Sequence, residues 1–272
     1  MAAGIAVALA TGGTVAWQHD SAAVGATTSS IAAAEVVPVA ATVEASVPVP
    51  DTSTLDAIST DARWSVAVFD TSTGETFTYG DTDTFDTASV VKVDILAALL
   101  AQQDGELTAS QQSLASAMIR SSDNAAATAL LAEVGGADAL DAFNVSIGLT
   151  DTDVSSVWGL TQTTAADQVR LLDAALGEDG VLSDEGRSTL SGLMSTVIDT
   201  QRFGASSADD DPATAAVKVG YLQRSATGLW DVTSVGVVEH DGTTYYVAVL
   251  SDGNATFETG VALVDEVATS AV

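Results

Sequence analysis

Two blocks of alternating apolar and polar residues stand far apart in this 272-residue chain, and the apolar spacing between them is helical. Trp64-Ser-Val-Ala-Val-Phe69 and Glu75-Thr-Phe-Thr-Tyr79 alternate with the period of half-buried strands, and Asp70-Thr-Ser-Thr-Gly74 between them reads as a turn. Strands are expected again at 215–222, 229–239 and 243–250, the last two joined by His240-Asp-Gly242. Strand blocks on either side of a helical middle predict an α+β fold, an α/β sandwich. Its antiparallel sheet of about five strands is assembled from both chain ends and flanked by helices, with a helical subdomain inserted between.

The helical stretches are 89–102, 108–119, 124–134, 164–176 and 184–199, with a closing helix at 257–269. In the first, Val93, Leu96, Ala97 and Leu100 share one face; 124–134 opens on Ser122-Asp-Asn124 and stops at Gly135-Gly136. A cleft between sheet and helical subdomain is the expected binding site. Ahead of the domain at 52–272, residues 1–17 resemble the apolar part of a signal peptide or a weak membrane anchor, although no Lys or Arg precedes them. Residues 18–51, rich in Ala, Val, Thr and Pro, read as a flexible linker. Export, to a secreted or envelope-associated location, is the expectation.

Charge and composition remove several kinds of chemistry. Eight basic against 37 acidic side chains give a formal charge of −29, which repels nucleic acid and anionic membranes and reads first as a solubility or high-salt adaptation. The absence of cysteine removes disulfides, thiolate metal sites, a catalytic thiol and a lipid-modified cysteine anchor. Two histidines, His19 in the linker and His240 in a hairpin turn, support neither a Ser-His-Asp triad nor a two-histidine metal site. No metal and no cofactor is expected; the partner is a small-molecule or peptidoglycan-like substrate, and the protein a monomer.

Lysine is the informative residue. Six of the eight basic residues are arginine, and the only lysines are Lys92 and Lys218. A desolvated lysine can lose its proton and act as a base, which arginine cannot do. Lys92 follows Ser89 by three residues at a helix start, so its amine can reach the hydroxyl and activate it as a nucleophile. A solvent-facing lysine on an amphipathic helix is the alternative. Ser122-Asp-Asn124 can simply cap a helix, or Ser122 can pass a proton to a leaving group while the Asn124 amide holds substrate. In Lys218-Val219-Gly220, an exposed strand lysine is the plain reading. The functional one has Lys218 supplying positive charge, Gly220 admitting a substrate backbone, and the N–H groups of Ser89 and Tyr221 forming an oxyanion hole.

Ser89-Val-Val-Lys92, Ser122-Asp-Asn124 and Lys218-Val-Gly220, in that order, resemble the three-motif signature of class A β-lactamases and penicillin-binding proteins over roughly residues 52–270. Trp158-Gly-Leu-Thr-Gln-Thr-Thr164 and Val247-Ala-Val-Leu-Ser-Asp-Gly-Asn254 look like a group of exported actinobacterial serine hydrolases related to those enzymes. The resemblance implies an acyl-enzyme at Ser89 with β-lactam or related amide and ester substrates, in a bacterium. Three departures qualify it. Val219 replaces a Thr or Ser whose hydroxyl helps hold a substrate carboxylate. The segment 154–162 offers no Glu for deacylation, leaving only Asp151 and Asp153 nearby. Ser122 follows Ser89 by only 33 positions, which implies a more open cleft. A binding module with little turnover, or a non-catalytic envelope protein, are the other readings.

Overall fold

The computed structural model describes residues 52–272; the leader-like stretch at 1–17 and the linker at 18–51, with His19, lie outside the described residues. The strands are β1 (Arg63–Asp70), β2 (Glu75–Gly80), β3 (Phe85–Asp86), β4 (Gln162–Thr163), β5 (Ala216–Gln223), β6 (Trp230–His240) and β7 (Thr243–Asn254). The helices are α1 (Ser53–Asp56), α2 (Val91–Gln102), α3 (Ala109–Arg120), α4 (Asn124–Val134), α5 (Ala137–Ser146), α6 (Ala165–Leu176), α7 (Asp184–Ser195) and α8 (Phe257–Ala271).

Five strands pair antiparallel in the order β2-β1-β7-β6-β5, while β3 and β4 form a separate two-residue ladder. The period-2 alternation sorts side chains to two cores. Val66, Val68, Val217, Val219, Val247 and Val249 pack with Leu263, Val264 and Val267 of α8 on one face. Ala67, Val235, Tyr246, Ala248 and Leu250 face helices α2 to α7 on the other. The sheet is thus a middle layer, as the sequence predicts, and β5 is the edge strand against which the Ser89 turn packs.

Helix ends follow their capping residues. The Thr108 and Gln111 side chains close a capping box on α3. Asp123 Oδ1 accepts from Ala126 N at 2.7 Å to start α4. Gly135, at φ 116°, ends it in the left-handed conformation that glycine adopts without strain.

Three departures from the sequence expectation bear on the site and its support. Helix α5 is unanticipated: it begins directly after Gly135-Gly136, read as a stop, and its Ala- and Asp-rich stretch buries only Leu140 and Asn144. Helix α7 ends at Ser195, not 199, because the chain turns so that Ile198 N donates to Arg120 O. Most consequential, α2 is not amphipathic: every residue from Val91 to Leu100 is buried, as in a helix ringed by others.

That ring encloses a carboxyl group. Asp94 is fully buried and accepts from Asn144 Nδ2 of α5 at 3.1 Å, while Asp94 Oδ2 and Asn144 Oδ1 have no partner. Burial pushes the Asp94 carboxyl up to about 7. In the unfolded chain Asp94 ionises near the ordinary carboxylate value, so stability is fully present at low pH and is lost as pH climbs from about 4 to about 7. Asp94→Asn, neutral throughout and able to exchange two amide hydrogen bonds with Asn144, is expected to match the wild type near pH 4. Above pH 7 it should be more stable by up to about 4 kcal/mol in urea unfolding, the value of a shift of about three pKa units. Equal gains at both pH values would show that ionisation is not the cause.

Candidate active site

Four backbone segments meet at the β5 edge. Ser89 lies in a single 3₁₀ turn, Ala88–Val90, that leads straight into α2, and Ala88 before it has φ 46°. Ser122, in the α3–α4 connection, has φ 58°. Non-glycine residues in the left-handed region are costly by about 1–3 kcal/mol and persist where surrounding structure imposes them. Here they turn two hydroxyls toward the same ammonium.

Lys92 Nζ lies 3.0 Å from Ser89 Oγ and 3.0 Å from Ser122 Oγ, and it donates to Ser122 O at 2.7 Å and Asn124 Oδ1 at 2.8 Å. Its side chain is fully buried, which excludes the solvent-facing alternative. Burial lowers its pKa to about 8, against the opposing pull of the Asp123 carboxylate. From the sheet side, Lys218 Nζ reaches Ser122 Oγ at 3.1 Å and donates to Val219 O at 2.6 Å. Lys218 is also fully buried, and desolvation with the neighbouring Lys92 charge holds its pKa well below the usual lysine value. Ser122 thus touches both lysines of the chain. The triplet also caps its helix: Asp123 holds the α4 amide, leaving Ser122 and Asn124 free to face Lys92.

Gly220 packs tightly here, but not as the sequence suggests. A Cβ on it would lie 2.5 Å from Ser89 N, 2.6 Å from Thr233 Oγ1 and 2.8 Å from Thr87 O. The space before it is filled by the turn that carries Ser89. Thr233 Oγ1 ties the same turn to the sheet through Thr87 O at 2.9 Å. Val219 does not line the site as the sequence suggests: alternation along β5 sends its side chain, fully buried, into the α8 core, on the face opposite Lys218. Tyr221 follows on that face with its ring on Phe257, 4.8 Å between centroids, while its backbone continues the edge beside Ser89.

One residue without an assigned role joins the site. The Trp158 ring lies over Lys92 Nζ at 5.0 Å and its Nε1 donates to Thr128 Oγ1 of α4. Asp151 and Asp153 serve the loop: Asp151 N donates to Asp167 Oδ2, and Asp153 bridges Gln162 through its backbone. Among the described residues, Asp210, His240 and Asp241 could hold a cation, their ligand atoms lying within 4.8 Å of one another; this surface group shares no residue with the Ser89 site.

The model of the beta-lactamase enzyme family matches residues 52–114 and 103–272. A class A β-lactamase from Bacteroides cellulosilyticus superimposes with a TM-score of 0.65 at 20% identity, over 77% of this chain and 91% of the other. A β-lactamase from Xanthomonas campestris gives 0.64 at 20% identity, over 78% and 91%. At these identities the likeness establishes the fold. A Mycobacterium tuberculosis protein bearing the lipoprotein name LppW is 31% identical over 166 residues, 56% of this chain and 52% of that protein. The chain therefore spans about half the length of the curated relatives it matches.

Proposed function

The chain belongs to the beta-lactamase enzyme family, and on that premise we propose that it is a serine hydrolase that forms an acyl-enzyme at Ser89 with amide or ester substrates. The observation that carries this reading is the Lys92 amine, 3.0 Å from both Ser89 Oγ and Ser122 Oγ. Neutral Lys92 takes the Ser89 proton as Oγ bonds to the substrate carbonyl carbon. The N–H groups of Ser89 and Tyr221 receive the developing oxyanion. The proton passes through Ser122, which Lys218 also contacts, to the leaving group as its bond to the acyl carbon breaks. Asn124 positions the substrate. Water then adds hydroxide to the acyl carbon and returns a proton to Ser89 Oγ.

A fluorophosphonate probe tests the reading directly. A single adduct on the tryptic peptide 64–92 is expected, and an unlabelled protein overturns it. The labelling rate should rise about tenfold per pH unit up to about 8 and level off above, because only deprotonated Lys92 is a base. A flat profile between pH 6 and 9 would remove Lys92 from that role.

A long-lived acyl-enzyme is the second reading. It is favoured by the lack of any Glu in 154–162 and by the Trp158 ring over Lys92. One stoichiometric release of product without steady turnover would favour it over hydrolysis. Export is proposed as well, from the leader-like residues 1–17 and the lipoprotein name of the mycobacterial relative. With no cysteine in these 272 residues, lipidation of a cysteine within them is not the means. Among the described residues no helix is long and apolar enough to cross a membrane.

A further inference from the structure

A cavity of about 520 Å³ opens between the end of β1, the start of β7 and the end of α6, and it shares no residue with the Ser89 site. Tyr246 on its wall lies four residues along β7 from Leu250, which stands in the row of Thr233 and Gly220. The Tyr246 ring stacks on Phe69, 5.6 Å between centroids, and the residue is only 6% exposed. Its hydroxyl makes no hydrogen bond among the described residues, and neither does the half-buried Asp173 carboxylate beside it. The two are close: burial, and then the Asp173 charge, push the Tyr246 phenol above its usual pKa. A carboxylate and a hydroxyl thus face one space without bonding to each other. Arg187, whose charge also reaches the phenol, is occupied with Leu182 O and Asp184.

The opposite wall is a loop folded back on the end of α6. Gly180 N donates to Gly177 O at 3.0 Å and Val181 N to Ala174 O at 2.7 Å. A Cβ on Gly177 would lie 2.6 Å from Asp173 O, and one on Gly180 2.5 Å from Ala174 O, so the return needs glycine at both positions. The loop brings the exposed Glu178 and Asp179 to the cavity, which is lined by three carboxylates and by no Lys or Arg. Its complement is a cation. Among the described residues these three carboxylates do not converge as Asp210, His240 and Asp241 do, and a bare metal ion, which needs several oxygens in contact at once, would not be enclosed. The stacked rings and Leu176 suit an alkyl stem, and the free phenol oxygen suits an N–H donor.

Independently of the hydrolase reading, we propose that this cavity is a binding site for a small molecule carrying a primary alkylammonium group. The ammonium N–H groups bridge the Asp173 carboxylate and the Tyr246 hydroxyl, the alkyl stem lies along Phe69 and Leu176, and Glu178 and Asp179 add charge at the mouth.

The test titrates butylammonium chloride into the isotope-labelled full chain at fixed ionic strength and follows the backbone amide shifts. Saturable shifts confined to 69–71, 173–180 and 244–246 are expected, with butanol, the neutral isostere, binding at least about tenfold more weakly. Asp173→Asn should weaken butylammonium about tenfold and Tyr246→Phe, which keeps the stacked ring, about threefold. Glu266→Gln removes one exposed charge from α8 on the opposite face of the sheet and should weaken it by less than about twofold. Butanol binding as tightly as butylammonium, a comparison that needs no variant, overturns the proposal. So does an equal loss in Glu266→Gln and Asp173→Asn, since the diffuse charge of the protein would then be the cause. Calcium chloride moving the same amides at lower concentration than butylammonium would make this a metal site and overturns it as well. Fluorophosphonate labelling of Ser89 should be unchanged in all three variants, and its failure in the wild type would strike the hydrolase reading alone.

Discussion

Lys92→Met is expected to slow acylation of Ser89 by about 10³-fold, close to the floor set by Ser89→Ala, while leaving the fold intact. Methionine fills nearly the same volume and removes a charge that burial already disfavours, so thermal unfolding should move by only a few degrees. What it cannot replace is the proton acceptor 3.0 Å from Ser89 Oγ. The loss should therefore fall on the rate of acylation, read with the fluorophosphonate probe, and not on the amount of folded protein. A variant that still acylates within tenfold of the wild type would assign the base elsewhere, with Lys218, through Ser122, the next candidate.

Gly220→Ala should act by displacement. The new methyl group would sit 2.5 Å from Ser89 N and 2.8 Å from Thr87 O, and main-chain atoms cannot rotate away as a long side chain can. Strand β5 and the nucleophile turn would have to part by a good fraction of an ångström. Misplacement on that scale costs roughly 10²-fold in rate, and overpacking costs about 1–3 kcal/mol in stability. Gly192→Ala is the control. In the middle of α7 its added methyl meets nothing within 4 Å, and it should stabilise by about 0.5–1 kcal/mol. If Gly220→Ala behaved like Gly192→Ala in both rate and melting temperature, the close approach of strand to turn would not be what fixes Ser89.

Sheet, helical insert and paired serine and lysine are legible in the sequence because each rests on short-range pattern. Strand alternation survives in Trp64–Phe69 and Thr243–Leu250, and lysine is so scarce that Lys92 and Lys218 mark themselves. The orientation of Val219 follows from the same alternation: once Lys218 faces Ser122, its successor must face the opposite core. Other features depend on tertiary partners that no local spacing announces. The burial of α2 on all sides comes from its neighbours, and so does the encounter of Asp94 with Asn144, 50 positions away. The Trp158 ring reaches Lys92 only because its loop folds back onto α4. The two-residue ladder of β3 and β4 is too short to leave a period at all.

The pairing of β1 with β7 also sets a clock. Arg63 meets Asp252 across a separation of 189 residues, so the central strand pair cannot close until both ends of the domain have been made. At about 5–20 residues per second, synthesis leaves the β1–β2 hairpin waiting roughly 10–40 seconds for its partner. During that interval Val66, Val68 and Phe69 line an unclosed strand edge, and the ribosome-bound chain is open to chaperones, to proteases and to other copies of itself.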